Sequence, residues 1–259
     1  MQSKEKLSIL KIGGKLLADE EQLKEMLEVF INQKGRKILV HGGGNRANEL
    51  IKALGIEPKM INGRRITDEP TLEIVTMVYA GSLNKSLVAR LQAMGCPAIG
   101  LSGADANVIL AHKRVVKDID YGFAGDVDAV NVTALQHLLA GNLVPVCCAI
   151  THDGKGQLLN TNADTIASSL AVALAPHFQV SLQYSFERPG VLKDPADDNS
   201  VITSLNKPLY QQYKEEGIIT DGMIPKLDNA FAGLEAGVNE VVIGSPAAMS
   251  RGQATVIQL

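Results

Sequence analysis

The sequence contains no tryptophan, and only five phenylalanines and five tyrosines among 259 residues. A platform that stacks bases or sugar rings needs aromatic faces, and this chain is poorly supplied with them. A dominant sign of charge is missing too. The 25 Lys and Arg are set against 28 Asp and Glu, for a formal net charge of −3, and no block of like charge stands out. The basic footprint of a nucleic-acid binder is therefore absent, and any positive charge that holds phosphates must be local. Cysteine is scarce: Cys96, Cys147 and Cys148 form no C-x-x-C pair, and their number is odd. Cys147 and Cys148 lie in the apolar run Leu143 to Ile150, which reads as small buried hydrophobes in a reducing compartment. Long hydrophobic runs are missing as well. The first apolar stretch, Leu7 to Ile12, is interrupted by Lys11, so there is no secretion signal and no segment of membrane-spanning length. These absences predict a cytoplasmic protein with neither nucleic acid nor membrane as a partner.

Hydrophobic residues make up 46% of the chain, enough for a large core. The length is generous for one domain and short for two, which predicts a single two-lobed α/β unit. Strand-like and helix-like patterns alternate. Leu7 to Ile12 reads as a buried strand, then Leu23, Met26, Leu27, Phe30 and Ile31 fall on one helix face. Lys37 to Val40 is a second strand, and a long helix follows Pro70 toward Leu91. Ala98 to Leu101, Val144 to Ile150, Val180 to Tyr184, Val241 to Ile243 and Ala254 to Leu259 read as further strands, and Thr165 to Leu174 as a helix. This alternation predicts a parallel sheet covered on both faces. Asn107 to Val132 lacks a helical period and reads as hairpins on one edge. The helix end at Ala175 to Phe178 predicts the lobe boundary.

Two glycine-rich loops close consecutive strands: Lys11-Ile12-Gly13-Gly14-Lys15 and His41-Gly42-Gly43-Gly44-Asn45. Glycine at a strand end lets backbone N–H groups approach an anion, and a helix N-terminus adds partial positive charge. Neither loop matches the P-loop or dinucleotide fingerprints. Lys11 is the sharper anomaly, because a lysine in a buried strand needs an anionic partner. In Asn62-Gly63-Arg64-Arg65-Ile66-Thr67, a loop arginine can fork onto a carboxylate. Thr67 or Asp68 reads as the cap of the next helix. Asn160-Thr161-Asn162-Ala163-Asp164 opens a helix, with residues that serve equally as caps or as substrate ligands. In Ile218 to Lys226, Lys226 falls near the positive end of a helix, which is unfavourable unless an anion is present. The five histidines show no metal-ligand spacing. His41 reads as a structural or hydrogen-bonding residue.

In that order and spacing, K-I-G-G at 11–14, H-G-G-G at 41–44, N-G-R-R-I-T at 62–67, L-S-G-A-D at 101–105, N-T-N-A-D at 160–164 and G-I-I-T-D-G-M-I-P-K at 217–226 resemble the amino acid kinase family over nearly the whole chain. The resemblance implies a three-layer αβα sandwich with a mainly parallel central sheet. It divides residues 1–176, an N-terminal lobe with the acceptor site and dimer interface, from residues 177–259, a C-terminal lobe with the ATP site. It implies ATP-dependent phosphorylation of the γ-carboxylate of N-acetyl-L-glutamate, a step of arginine biosynthesis, with Mg²⁺ carried on ATP and no dense protein metal site. Lys11 and Lys226, from separate lobes, would stabilise the transition state, and Asp164 would hold them. Gly43, Gly44, Arg65 and Asn160 would bind the amino acid. Gly13, Gly14, Glu187, Gly190, Leu192, Ile218, Ile219 and Thr220 would serve the nucleotide.

Two departures from the family pattern bear on this. Ser185 to Leu192 keeps Gly190 to Leu192 but carries Glu187 where Asp is common. Ala104 and Ala106 flank Asp105 and leave the acyl group open between acetyl and a longer one such as succinyl. Other acceptors of the family, and a non-catalytic amino-acid sensor, remain the alternative readings. The short segment before the first strand implies a homodimer without arginine feedback.

Overall fold

The structure, a computed structural model, describes residues 4–61, 63–220 and 223–259. Asn62, Asp221 and Gly222 of the motifs above lie outside the described residues. In chain order the elements are β1 (Lys6–Ile12), α1 (Glu20–Asn32), β2 (Arg36–His41), α2 (Gly44–Ala53), β3 (Met60–Ile61), β4 (Arg64–Arg65), α3 (Glu69–Thr76), α4 (Asn84–Ala93), β5 (Ala98–Leu101), β6 (Ile109–Lys113), β7 (Gly125–Val130) and α5 (Val132–Ala140). They continue with β8 (Val144–Cys148), β9 (Ile150–His152), β10 (Leu158–Asn160), α6 (Ala163–Leu174), β11 (Gln179–Ser185), β12 (Ser204–Asn206), α7 (Lys207–Glu215), α8 (Ile224–Glu235), β13 (Glu240–Gly244), α9 (Pro246–Ser250) and β14 (Thr255–Gln258).

Packing divides the chain into two compact units, Met1–Lys37 with Leu170–Leu259, and Ile38–Ser169. The first unit takes in the N-terminal strand because β1 pairs in parallel with β11, from Lys6 opposite Gln179 to Ile12 opposite Ser185. Lys11 and Lys226, expected from separate lobes, therefore share one compact unit. Leu7, Ile9, Leu10 and Ile12 are all buried, as a strand covered on both faces requires. β13 continues the sheet in parallel beside β11, β14 is antiparallel to β13, and β12 is parallel to β14. Asp19 starts α1 by accepting from the backbone N–H groups of Glu21 and Gln22. The helix then buries Leu23, Met26, Leu27 and Phe30.

In the second unit β8 lies between β2 and β5, all parallel. The hairpins expected on an edge instead build a sheet of their own, in the order β10-β9-β6-β7. The long apolar run 144–150 is correspondingly shared. β8 ends at Cys148 and Ile150 opens β9 in that other sheet, a change of direction that continuous hydrophobicity conceals. The long helix after Pro70 is present, capped by Asp68 through Thr71 N–H at 3.0 Å. Its middle turns, Met77–Leu83, are π-helical, a local widening common at functional sites. Cys96, Cys147 and Cys148 are buried, and burial pushes the thiol of Cys147 up to about 12 and that of Cys148 up to about 11.

Gly122 is fixed by geometry. Its φ is +66°, and a Cβ there would lie 2.2 Å from the carbonyl oxygen of Thr67. That carbonyl also accepts from Phe123 N–H at 2.7 Å. Gly122→Ala is expected to cost about 2 kcal/mol or more, read as a lower urea midpoint. An unchanged midpoint would contradict this packing.

Candidate active site

The second unit holds a cavity of about 170 Å³ whose lining includes Gly43, Gly44, Arg65 and Asn160. All the residues expected to bind the amino acid thus meet in one place. The π-helical segment shapes one wall. A Cβ on Gly43 would lie 2.4 Å from Leu83 Cδ1 and 2.7 Å from Tyr79 Cδ1, so only glycine lets the loop pass this close. Arg65 is 6% exposed. Its Nη2 donates to the carbonyl of Gly44 at 3.2 Å, while its buried Nη1 has no hydrogen-bond partner among the described residues. An uncompensated buried guanidinium N–H is expensive, and a carboxylate is the group that best satisfies it. Burial raises the pKa of Tyr79, and the nearby Arg65 charge offsets part of that rise.

The two polar motifs are tied together through Thr67, which is fully buried. Asn160 Nδ2 donates to Thr67 Oγ1 at 3.0 Å, and that hydroxyl donates to the carbonyl of Arg65 at 3.1 Å. The cap of α6 is Asn162, whose Oδ1 accepts from Asp164 N–H at 2.8 Å and Thr165 N–H at 3.2 Å. Capping therefore does not account for the side chains of Asn160 and Asp164. Asp164 occupies the first turn of α6.

His41 anchors the glycine loop from beneath. It is fully buried, and its Nδ1 donates to the carbonyl of Gly42 at 2.8 Å. Nε2 must then accept from Asn84 Nδ2 at 3.1 Å, and Asn84 also donates to the carbonyl of Val146 at 2.9 Å. Burial lowers the imidazole pKa to about 4, and the charge of Lys85 adds to this. The ring is neutral and structural.

In the first unit, the C-terminal ends of β1 and β11 gather a second set of groups. Gly13 N–H donates to the carbonyl of Ser185 at 3.2 Å. Phe186 N–H donates to the carbonyl of Gly244 at 3.1 Å, which brings the end of β13 alongside. Lys15 Nζ lies 2.7 Å from Glu187 Oε1 in a largely exposed ion pair. Lys226 Nζ lies 5.2 Å from the centre of the Phe186 ring. Burial works against the charge of Glu187, but the hydrogen bond from Lys15 and the charges of Lys15 and Lys226 prevail and hold its carboxyl below the ordinary range. Lys11, opposite Tyr184, is half-buried rather than enclosed. Ser185 Oγ is buried without a partner among the described residues.

The remaining residues expected at the nucleotide have visible structural duties. A Cβ on Gly190 would lie 2.6 Å from Thr255 Oγ1, and Val191 N–H donates to that hydroxyl at 2.8 Å. Leu192 is bridged to Val201. Ile218 and Ile219 N–H both donate to the carbonyl of Tyr213, at 2.9 and 3.1 Å. The carbonyl of Thr220 accepts from Met223 and Ile224 N–H, at 2.9 and 3.2 Å, where α8 begins. Among the described residues no group of three or more His, Cys, Asp or Glu side chains could hold a metal ion, and no helix is long and apolar enough to cross a membrane.

Sequence reasoning missed Tyr79, Thr67, Arg64 and Lys15 as members of these sites. Tyr79 was hidden in the apolar face of a long helix, and the π-helical widening that aims it leaves no mark in the periodicity. Lys15 stood beside the quoted glycines, and its pairing with Glu187 depends on strand register.

A glycine-lined cavity with a buried, incompletely paired arginine, and lysines gathered near the ends of parallel strands, define an α/β protein with positive groups at strand ends, where ligands of such sheets bind. The amino acid kinase family model matches residues 6–245, and the chain belongs to that family. It is 54% identical to the acetylglutamate kinase of Phocaeicola vulgatus, over 98% of this chain and 99% of the relative. It is 54% identical to the acetylglutamate kinase of Bacteroides fragilis, over 93% of this chain and 92% of the relative. The crystal structure of smu.665 from Streptococcus mutans UA159 is similar with a TM-score of 0.77 and 26% identity, covering 97% of this chain and 98% of that one.

The neutral His41 gives a pH test. Its folded pKa of about 4 lies below the ordinary 6.5. Between those values the unfolded chain takes up a proton that the folded one refuses, so stability falls as pH drops from 6.5 toward 4. The slope from this group reaches about 1.4 kcal/mol per pH unit. The non-titrating His41→Gln variant is expected to show a shallower loss of stability over that window, measured by urea unfolding at stepped pH. Parallel profiles for the two proteins would contradict the assignment.

Proposed function

We propose that the chain transfers the γ-phosphate of ATP to the γ-carboxylate of N-acetyl-L-glutamate, or of a close N-acyl analogue, forming an acyl phosphate in arginine biosynthesis. The observation that carries this reading is the buried Arg65, whose Nη1 lacks a partner among the described residues in the cavity it shares with Gly43, Gly44 and Asn160. The chain is also 54% identical, over almost its full length, to a relative named acetylglutamate kinase. In this reading Arg65 takes the α-carboxylate of the acceptor, and Asn160 and the backbone of Gly43 and Gly44 fix its orientation.

The acceptor carboxylate is ionised at neutral pH, so no general base is needed. The difficulty is to bring an anion against a polyanion, which is a matter of alignment and charge. Lys11 and Lys226 are assigned to the charge on the transferring phosphoryl group, Asp164 is the acidic member of the catalytic set, and Gly13 and Gly14 offer backbone N–H groups. Glu187, Gly190, Leu192, Ile218, Ile219 and Thr220 are assigned to the nucleotide. The placement of the Glu187 carboxylate beside Lys15, under the influence of Lys226, supports this corner as one that accommodates an anion. Mg²⁺ is assigned to the ATP phosphates, where it would offset their charge. The proposed division of labour, acceptor on residues 1–176 and nucleotide on 177–259, is one of function rather than of packing. A cytoplasmic homodimer completes the reading.

Purified protein with Mg-ATP, acceptor and hydroxylamine is expected to yield a hydroxamate that depends on both substrates. Lys11→Ala and Lys226→Ala should each lower kcat by roughly 10² or more, as for other lost charge stabilisers. Near wild-type turnover in both would sink the mechanism. Arg65→Ala should raise KM for the acceptor first, and an unchanged KM would remove its assigned role.

A further inference from the structure

The Lys15–Glu187 ion pair joins two loops that are fixed without it. Lys15 follows Gly13 and Gly14 beyond the end of β1, and Glu187 lies just beyond the end of the neighbouring β11. The first loop is anchored by Gly13 N–H on the Ser185 carbonyl at 3.2 Å, by Leu17 N–H on the Gly13 carbonyl at 3.3 Å and by the buried side chain of Leu16. The second is anchored by Phe186 N–H on the Gly244 carbonyl at 3.1 Å and by Val191 N–H on Thr255 Oγ1 at 2.8 Å. The side chains of Lys15 and Glu187 are 73% and 43% exposed, and a pair so open to water adds little to stability. Holding the loops together therefore does not account for it.

Its position offers a better account. A lysine directly behind two glycines at a parallel strand end stands where anions are met. The carboxylate opposite it presents an anionic oxygen to Nζ at 2.7 Å, as a phosphate would. Burial opposes the charge of Glu187, yet the hydrogen bond from Lys15 and the charges of Lys15 and Lys226 keep its carboxyl below the ordinary range. One carboxylate thus answers to two lysines from opposite ends of the chain. A polyanion entering this corner is attracted by both lysines and repelled by Glu187, whose exposed side chain can turn to water instead. We propose that Lys15 is a phosphate-binding residue of the nucleotide site, and that Glu187 is its resident counter-ion, which yields the ammonium group to a phosphate oxygen of ATP when the nucleotide binds. Glu187 is thereby a built-in competitor that sets nucleotide affinity lower than the lysines alone would. This inference rests on the kinase reading above, adds Lys15 to its nucleotide residues and gives Glu187 a direction of effect.

Calorimetry with Mg²⁺ and the non-hydrolysable ATP analogue AMP-PNP tests this in wild type, Lys15→Gln and Glu187→Gln. Both substitutions break the same ion pair, so a purely structural role would move affinity in the same direction. Lys15→Gln is expected to weaken binding by about fivefold or more, the loss of one charge-assisted contact. Glu187→Gln is expected to tighten it by about threefold, the worth of the exposed pair that no longer competes. Added to Lys15→Gln, Glu187→Gln should tighten binding less than it does alone. An unchanged affinity in Lys15→Gln overturns the proposal. Weaker binding in Glu187→Gln overturns it too, by making the carboxylate a holder of the nucleotide or its Mg²⁺. Urea midpoints of both variants should match wild type, and a fall shared by both would make the pair a structural strap instead. A wild type that binds no AMP-PNP would defeat the kinase reading itself, and this inference with it.

Discussion

A guanidinium taken out of water must be matched group by group, and around Arg65 the protein supplies only part of the match. One end donates to the Gly44 carbonyl, and the other has no partner among the described residues. Much of the second unit follows from holding that group in place. Thr67 fixes the Arg65 backbone and joins it to Asn160. The π-helical turns bring Tyr79 and Leu83 against Gly43. His41 and Asn84 pin the loop that carries Gly42 to Gly44. A buried polar network of this kind specifies one arrangement of its members, because each loose partner costs a desolvated group.

The first unit shows the same logic with the opposite exposure. Lys15 and Glu187 pair at the surface, where such contacts add little stability and are readily exchanged for another anion. Lys226 rests near Phe186 and influences the same carboxylate. In the reading proposed above, the enclosed Arg65 serves selective recognition of a small acceptor, whereas the exposed pairing of Lys15 can give way to a charge that comes and goes with each turnover.

Much of this was legible in the sequence. Lys11 and Lys226 stood out because each broke a local rule, Gly43 and Gly44 because glycine recurred at a strand end, and Arg65 and Asn160 only through the motifs that carry the family resemblance. The strands at 6–12, 98–101 and 179–185 follow from hydrophobic runs that burial on two faces demands. Other features depended on information that periodicity does not contain. The switch at Ala149 from one sheet to another leaves the apolar run unbroken. The π-helical turns at 77–83 preserve an apolar face while rotating it. Segment 204–215, a short strand and α7, has too little apolar pattern to be read alone, and it forms by pairing beside β14.

The central claim is that Arg65 is kept buried and incompletely paired so that the acceptor's α-carboxylate completes it. Calorimetry with N-acetyl-L-glutamate and with its α-carboxamide counterpart tests this directly, because the amide removes the charge and one acceptor oxygen presented to the guanidinium and leaves the rest of the acceptor unchanged. The account expects binding of the amide to be weaker by roughly tenfold or more, the worth of a charge-assisted contact in a desolvated site. Equal affinities would contradict it.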